Sequence, residues 1–177
     1  MKLQRLTFVL GAVACVAFAV WAGPAMAGSE VPLKGGFDGS TVPSGSPAVE
    51  RFEVSGKATH LGKFTAVAEA DLTGIHFTGD YDPDSGLPIA ELPATVTFVA
   101  ANGDELYADM DLVGGFHPTA QNFPSFTFTC EITGGTGRFD GATGSFSGAG
   151  GQTSVPGEDN DLIGGTFEGT ISSVGSN

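Results

Sequence analysis

The stretch 123–150, FPSFTFTCEITGGTGRFDGATGSFSGAG, constrains the fold of this chain more than any other. In its first part apolar residues occupy every second position, namely Phe126, Phe128, Cys130 and Ile132. A period of two residues is typical of a β-strand with one buried face. The glycine-rich corner at 134–139 then reverses the chain, and alternation resumes towards Gly150. The stretch therefore predicts two antiparallel strands joined by a tight corner.

A second pair of strands is predicted over 94–113, and its register follows from which residues must share a face. A two-residue loop at 102–103 would place the apolar face of one strand opposite the polar face of the other. A three-residue loop, 101–103, instead pairs Phe98 with Leu106. That loop is a type I turn followed by a left-handed residue at Gly103, where only glycine is free of the steric penalty at Cβ.

Short alternating segments recur along the rest of the chain, and none keeps an apolar period near 3.6 residues for long. Further strands are predicted at 49–60, 63–72 and 162–172, with a shorter one at 75–78. Several short strands separated by turn signals indicate a sandwich or a barrel. Glycine alternating with phenylalanine near Phe146 and Phe167 suits a small barrel, because glycine leaves room for a neighbouring ring. The predicted fold class is all-β.

The N-terminal residues carry a targeting signal. Lys2 and Arg5 precede an apolar run, and Ala25-Met26-Ala27 is a small-x-small cleavage site. This pattern predicts a cleaved signal peptide over 1–27 and a secreted or periplasmic mature protein. Residues 28–47, rich in glycine, serine and proline, are predicted to form an N-terminal arm with at most one edge strand around 31–37. Residues 48–177 are predicted to form the barrel domain.

Cleavage would leave an acidic chain with one thiol. It removes two of the seven basic residues and none of the twenty acidic ones, so the formal charge changes from −13 to −15. Such a surface repels nucleic acid and anionic membranes, and neither is an expected partner. Cys15 would leave with the signal peptide, which excludes an internal disulfide in the mature chain.

The corner at 134–144, GGTGRFDGATG, resembles the GGTG-x-F-x-x-A-x-G corner of dirigent proteins and of the related allene oxide cyclase barrel. A second segment at 56–64, GKATHLGKF, is similar to a signature of uncharacterised secreted bacterial proteins that share that corner. The resemblance implies an eight-stranded antiparallel barrel, often a homotrimer in the plant relatives. Those relatives act on oxylipins or phenoxy radicals inside the barrel with acidic or amide side chains. No catalytic residue is carried over to this chain.

The residues predicted to face the interior offer few groups that could transfer protons. They are mainly phenylalanines and alanines, with no Asp, Glu, Lys or Arg, and the thiol of Cys130 is expected to be buried and structural. His60 is expected to make a local hydrogen bond in a tight turn. The spacing of the three histidines, His60, His76 and His117, does not indicate a zinc site. The long loop at 114–124 either forms a mouth or covers one barrel end.

The acidic segment 80–91 contains the candidate metal ligands, and calcium is the metal that they are predicted to bind. The candidate ligands take positions 1, 3, 5 and 12 of a calcium-loop spacing: Asp80, Asp82, Asp84 and Glu91. Ser85 stands where such loops carry glycine, and prolines at 83 and 88 restrict the chain. The alternative is a solvated acidic turn that binds no ion.

These observations predict a secreted, non-enzymatic barrel module with an apolar interior that binds a small lipophilic ligand or has a structural role. A cyclase or isomerase that confines a lipophilic substrate is one alternative, and an extracellular interaction protein acting through its acidic surface is another. The size of the interior distinguishes these functions. A filled interior would exclude both ligand binding inside the barrel and an enzyme that confines its substrate there.

Overall fold

The computed structural model describes residues 29–172, and the predicted signal peptide at 1–27 lies outside them. The strands, in chain order, are β1 Glu30–Val42, β2 Val49–Ala58, β3 Gly62–Asp71, β4 His76–Tyr81, β5 Pro88–Ala100, β6 Glu105–Gly115, β7 Phe126–Gly135, β8 Gly144–Ser154 and β9 Asp161–Ser172. Two short 3-10 turns lie at Leu72–Gly74 and Gly137–Phe139. No helix in the described range is long and apolar enough to cross a membrane.

Eight of these strands close into an antiparallel barrel. Hydrogen-bonded neighbours run in the order β3-β2-β1-β9-β8-β7-β6-β5, and β5 pairs back with β3 between Ala94 and Ala100. The ninth strand, β4, pairs only with the first part of β5 and lies outside the closed ring. Pro93, which has no backbone N–H to donate, stands where β5 changes partner from β4 to β3. The predicted eight-stranded antiparallel barrel is confirmed.

The predicted N-terminal arm is instead mostly a barrel strand. β1 pairs with β9 from Glu30 to Ser40 and with β2 from Gly35 to Val42. Its glycines and serines obscure the strand pattern in the sequence, but Leu33 is fully buried and Phe37 points towards the core. Without β1 the ring would stay open between β2 and β9, so the barrel domain begins near residue 30.

The predicted register of the β5–β6 hairpin is confirmed. Phe98 pairs with Leu106, and Gly103 has a φ of +89°. A Cβ added at Gly103 would meet no atom within 4 Å, so the backbone conformation alone selects glycine there.

The barrel has two unlike ends. Because neighbouring strands are antiparallel, the turns at 59–61, 101–104 and 136–143 meet at one end, here called the corner end. The loops at 43–48, 116–125 and 155–160 meet at the other, here called the mouth end. Between the ends, side chains alternate between interior and exterior, as β7 shows with buried and exposed residues in strict succession.

Candidate functional site

The barrel interior contains a small cavity. Its volume is about 60 Å³, and its lining comprises hydrophobic side chains and the thiol of Cys130. Phenylalanine rings fill much of the space around it: the ring centres of Phe146 and Phe167 lie 5.2 Å apart, and those of Phe98 and Phe146 lie 5.9 Å apart. A cavity of roughly 150 Å³ is needed to hold benzene. The interior as it stands is therefore largely filled by its own rings.

The thiol of Cys130 is held in its neutral form. Burial raises the pKa of Cys130 to about 12, and the negative charges of Asp111 and Glu131 add to this effect. The thiolate is the nucleophilic form of cysteine. Cys130 is therefore a packing residue rather than a reactive one near neutral pH.

One carboxylate does face the interior, at the mouth end, at a position that the predicted inward set does not include. Glu50 lies two residues before Phe52 on β2, so both side chains point to the same face. Gln152 Nε2 donates to Glu50 Oε1 at 3.1 Å. Burial raises the pKa of Glu50; the hydrogen bond from Gln152 opposes this, and the charge of Asp161 adds to it. Extending the β2 alternation back to residue 50 would have predicted this position.

Gln152 connects this carboxylate to the loop above it. Its side chain is only 4% exposed, and its Oε1 accepts a hydrogen bond from the backbone N–H of Phe123 at 2.7 Å. Its backbone N–H donates in turn to the Phe123 carbonyl at 2.9 Å. A buried amide whose oxygen and nitrogen both make hydrogen bonds fixes the positions of the groups bonded to it. Gln152 therefore holds both the loop at 116–125 and one oxygen of Glu50.

A second buried amide ties the same loop to β8 and β9. Asn122 Nδ2 donates to Ser154 Oγ at 2.9 Å and to Asp161 Oδ2 at 2.7 Å. The backbone N–H of Asp161 donates to Thr41 Oγ1 at 2.8 Å, which adds β1 to the network. The mouth end is thus closed by a layer of polar side chains.

A groove of about 650 Å³ lies above this layer. Glu50 lines it, together with apolar side chains that include Leu72, Ile75 and Phe116. Asp159 also lines it, and no Lys, Arg or His does among the residues that the structure describes. The groove therefore combines an apolar wall with negative charge.

The three histidines lie in separate parts of the structure. His60 takes a left-handed conformation, with a φ of 63°, in the turn between β2 and β3. His76 Nδ1 lies 3.7 Å from Glu91 Oε2, and both side chains are exposed. His117 Nδ1 accepts a hydrogen bond from the backbone N–H of Ala120 at 3.1 Å within the mouth loop. The structure does not bring them together.

The calcium candidates lie around β4 and the loop that follows it. Asp82 Oδ1 accepts from the backbone N–H and the hydroxyl of Ser85, both at 2.7 Å, and these bonds lower the pKa of Asp82. Asp80 is the fifth residue of β4, Asp84 is exposed in the loop, and Glu91 lies on β5 beside His76. In residues 29–172, no group of three or more His, Cys, Asp or Glu side chains is placed to hold a metal ion. Calcium binding here stays a prediction.

Comparison with known proteins adds a likeness of fold. No protein-family model matches the chain, and no curated protein is similar to it. Among solved structures, the chain is similar to a pterocarpan synthase dirigent protein, with 15% sequence identity and a TM-score of 0.42, over 86% of this chain and 90% of that chain. The closed barrel itself is established by the strand pairings, and no activity is carried over.

Proposed function

We propose that this protein is an exported, non-enzymatic barrel module whose interior accepts a narrow lipophilic group. The observation that carries the proposal is the lining of the cavity, where Cys130 is the one titratable group and has a pKa of about 12. Acid–base and nucleophilic catalysis need a group that exchanges a proton or attacks near neutral pH. The lining of this cavity supports binding or structural filling rather than chemistry. Export is inferred from the signal sequence at 1–27.

The size of the cavity limits what it could hold. Ligand pockets for drug-sized molecules measure about 300–1,000 Å³, against about 60 Å³ here. A ligand would therefore be a thin apolar group, such as the end of an alkyl chain, or would have to displace phenylalanine rings. If nothing enters, the barrel is a structural module with a filled core.

Xenon binding, followed by NMR, tests whether the cavity accepts an apolar guest. We expect the methyl signals of Val96, Leu112 and Ile163, which line the cavity, to shift as xenon is added. Ala68→Val, which adds volume to the lining, should abolish the shifts. Thr65→Val, on the exposed face of the same strand, should leave them unchanged. Unshifted methyl signals in the natural protein would contradict binding and leave the structural role.

Glu50 is the observation that favours a cyclase or isomerase instead. It is an inward carboxylate with a raised pKa, and such groups are found among general acids. It lies outside the lining of the cavity, however, and its oxygen Oε1 is occupied by Gln152. The non-enzymatic proposal is therefore preferred.

A further inference from the structure

Glu50 is a half-buried carboxylate that makes no ion pair with a basic side chain among residues 29–172. The basic residue next to it in sequence, Arg51, lies on the opposite face of β2 and pairs there with Glu53 and Glu69, at 3.2 and 3.0 Å. The charge that acts on Glu50 is that of Asp161, which is also negative. Buried charges in proteins are normally paired with an opposite charge. Among the described residues, the groove at the mouth end therefore has negative side chains and no basic one in its lining.

Glu50 lines the groove, and one of its two carboxylate oxygens accepts no hydrogen bond from residues 29–172. Oε1 is occupied by Gln152, whereas no donor among residues 29–172 makes a hydrogen bond to Oε2. Because Gln152 is itself fixed by the backbone of Phe123, the carboxylate is held in one orientation before any ligand arrives. An acceptor that is already oriented loses little entropy when it binds.

We propose that the groove at the mouth end binds the protonated amine of a small amphiphile, with Glu50 as its counter-ion. The ammonium donates to Glu50 Oε2, and the apolar body of the ligand lies against Leu72, Ile75 and Phe116. Asp159 adds attraction at the rim. The same charges repel a fatty acid, so the groove selects among lipophilic molecules by the charge of their head group. This inference goes beyond the proposed function, because the groove lies outside the barrel interior and shares no lining residue with the cavity.

Titration calorimetry with three ligands of equal chain length tests the inference: octylammonium, octanol and octanoate. At neutral pH and low salt we expect octylammonium to bind about tenfold or more tightly than octanol, since a hydrogen bond to a charged group is worth about 1.5–3 kcal/mol. Octanoate should bind weakest. Glu50→Gln keeps an oxygen that can accept from Gln152, and it should remove the advantage of octylammonium over octanol. Glu53→Gln, on the outer face of the same strand, should keep that advantage.

The outcomes separate the two proposals. Equal affinity for octylammonium and octanol, an unchanged preference in Glu50→Gln, or no binding of any of the three ligands overturns the inference about the groove. The proposed binding in the interior is tested separately by xenon, and it fails if xenon does not enter the cavity, whatever the octyl ligands do. A second measurement does not depend on the folding of the variant: octylammonium should shift the side-chain amide signals of Gln152 in the natural protein, and octanol should not. Shifts of the same size with both ligands would also overturn the inference.

Discussion

The two ends of this barrel are closed by different chemistry. At the corner end the buried side chains are apolar. Four of them are completely inaccessible to solvent, namely Leu61, Leu106, Phe139 and Ile171. At the mouth end the buried layer is mixed: the ring of Phe123 is fully buried, and beside it lie the buried amides of Asn122 and Gln152, with Glu50 beneath the groove. Apolar burial is non-directional and tolerates small shifts, whereas a buried polar layer requires each partner in its place. Among residues 29–172 the buried polar side chains, Asn122 and Gln152, both belong to the mouth end, so that end depends on specific polar partners and the corner end does not.

The largest expected effect is at the corner end. Phe139→Ala removes a fully buried ring, which also lies 4.8 Å below the guanidinium of Arg138. We expect the free energy of unfolding to fall by about 3–5 kcal/mol, measured by urea denaturation. Phe116→Ala at the mouth end removes a ring that is only partly buried and should cost clearly less. Equal losses in the two variants would contradict this dependence on burial.

At the mouth end, the sensitive residue is a polar one. Gln152→Leu leaves the backbone N–H of Phe123 and the carboxylate of Glu50 without their hydrogen bonds. Each buried group left unsatisfied costs about 1–3 kcal/mol, so the melting temperature should fall even though the variant is more hydrophobic. Thr153→Leu, at the next position on the exposed face, serves as the control and should change little. A Gln152→Leu variant with the stability of the natural protein would show that the polar layer is dispensable.

Substituting one glycine at each end tests whether the two ends differ in rigidity. Gly103 at the corner end and Gly45 at the mouth end both have positive φ, +89° and +78°, with no atom within 4 Å of an added Cβ. Valine at Gly103 should lower stability by about 1–2 kcal/mol, because the left-handed conformation is unfavourable for a residue with a Cβ. Valine at Gly45 should cost less, since the loop at 43–48 has six residues over which a change in backbone conformation can be spread, whereas Gly103 lies in the four-residue turn at 101–104. A greater loss at Gly45, measured by thermal unfolding, would contradict this order.

The sequence predicted what depends on local alternation and missed what depends on distant partners. The β5–β6 register follows from Phe98, Leu106 and the turn glycine between them, all close in the chain. The closure of β3 on β5 joins segments that β4 and its flanking turns separate, so no local pattern shows it. The sequence pattern predicts β8 only as far as Gly150, whereas the strand continues to Ser154. Gln152 lies in the part that the pattern does not predict. The residues of the candidate site lie near the ends of strands, where the alternation that predicts a strand is weakest.

The smallest expected effect is on the pH dependence of stability, to which Glu50 at the mouth end and Asp104 at the corner end contribute with opposite sign. Burial raises the pKa of Glu50 from its usual value of 4.5, so its contribution to stability is fully present below pH 4.5 and is lost as the pH rises through the raised value. At the corner end, the hydrogen bond from Asn102, followed by that from the backbone of Arg138, lowers the pKa of Asp104 from 3.8. Its contribution is fully present above pH 3.8 and is lost as the pH falls through the lowered value.

Urea denaturation over a pH series separates these two contributions. Relative to the natural protein, Glu50→Gln should gain stability as the pH rises above 4.5, because it has no charge to bury. Asp104→Asn should lose stability relative to the natural protein as the pH rises towards 3.8, because it cannot gain the charge-assisted bonds. Slopes of the same sign would contradict the opposite pKa directions of Glu50 and Asp104.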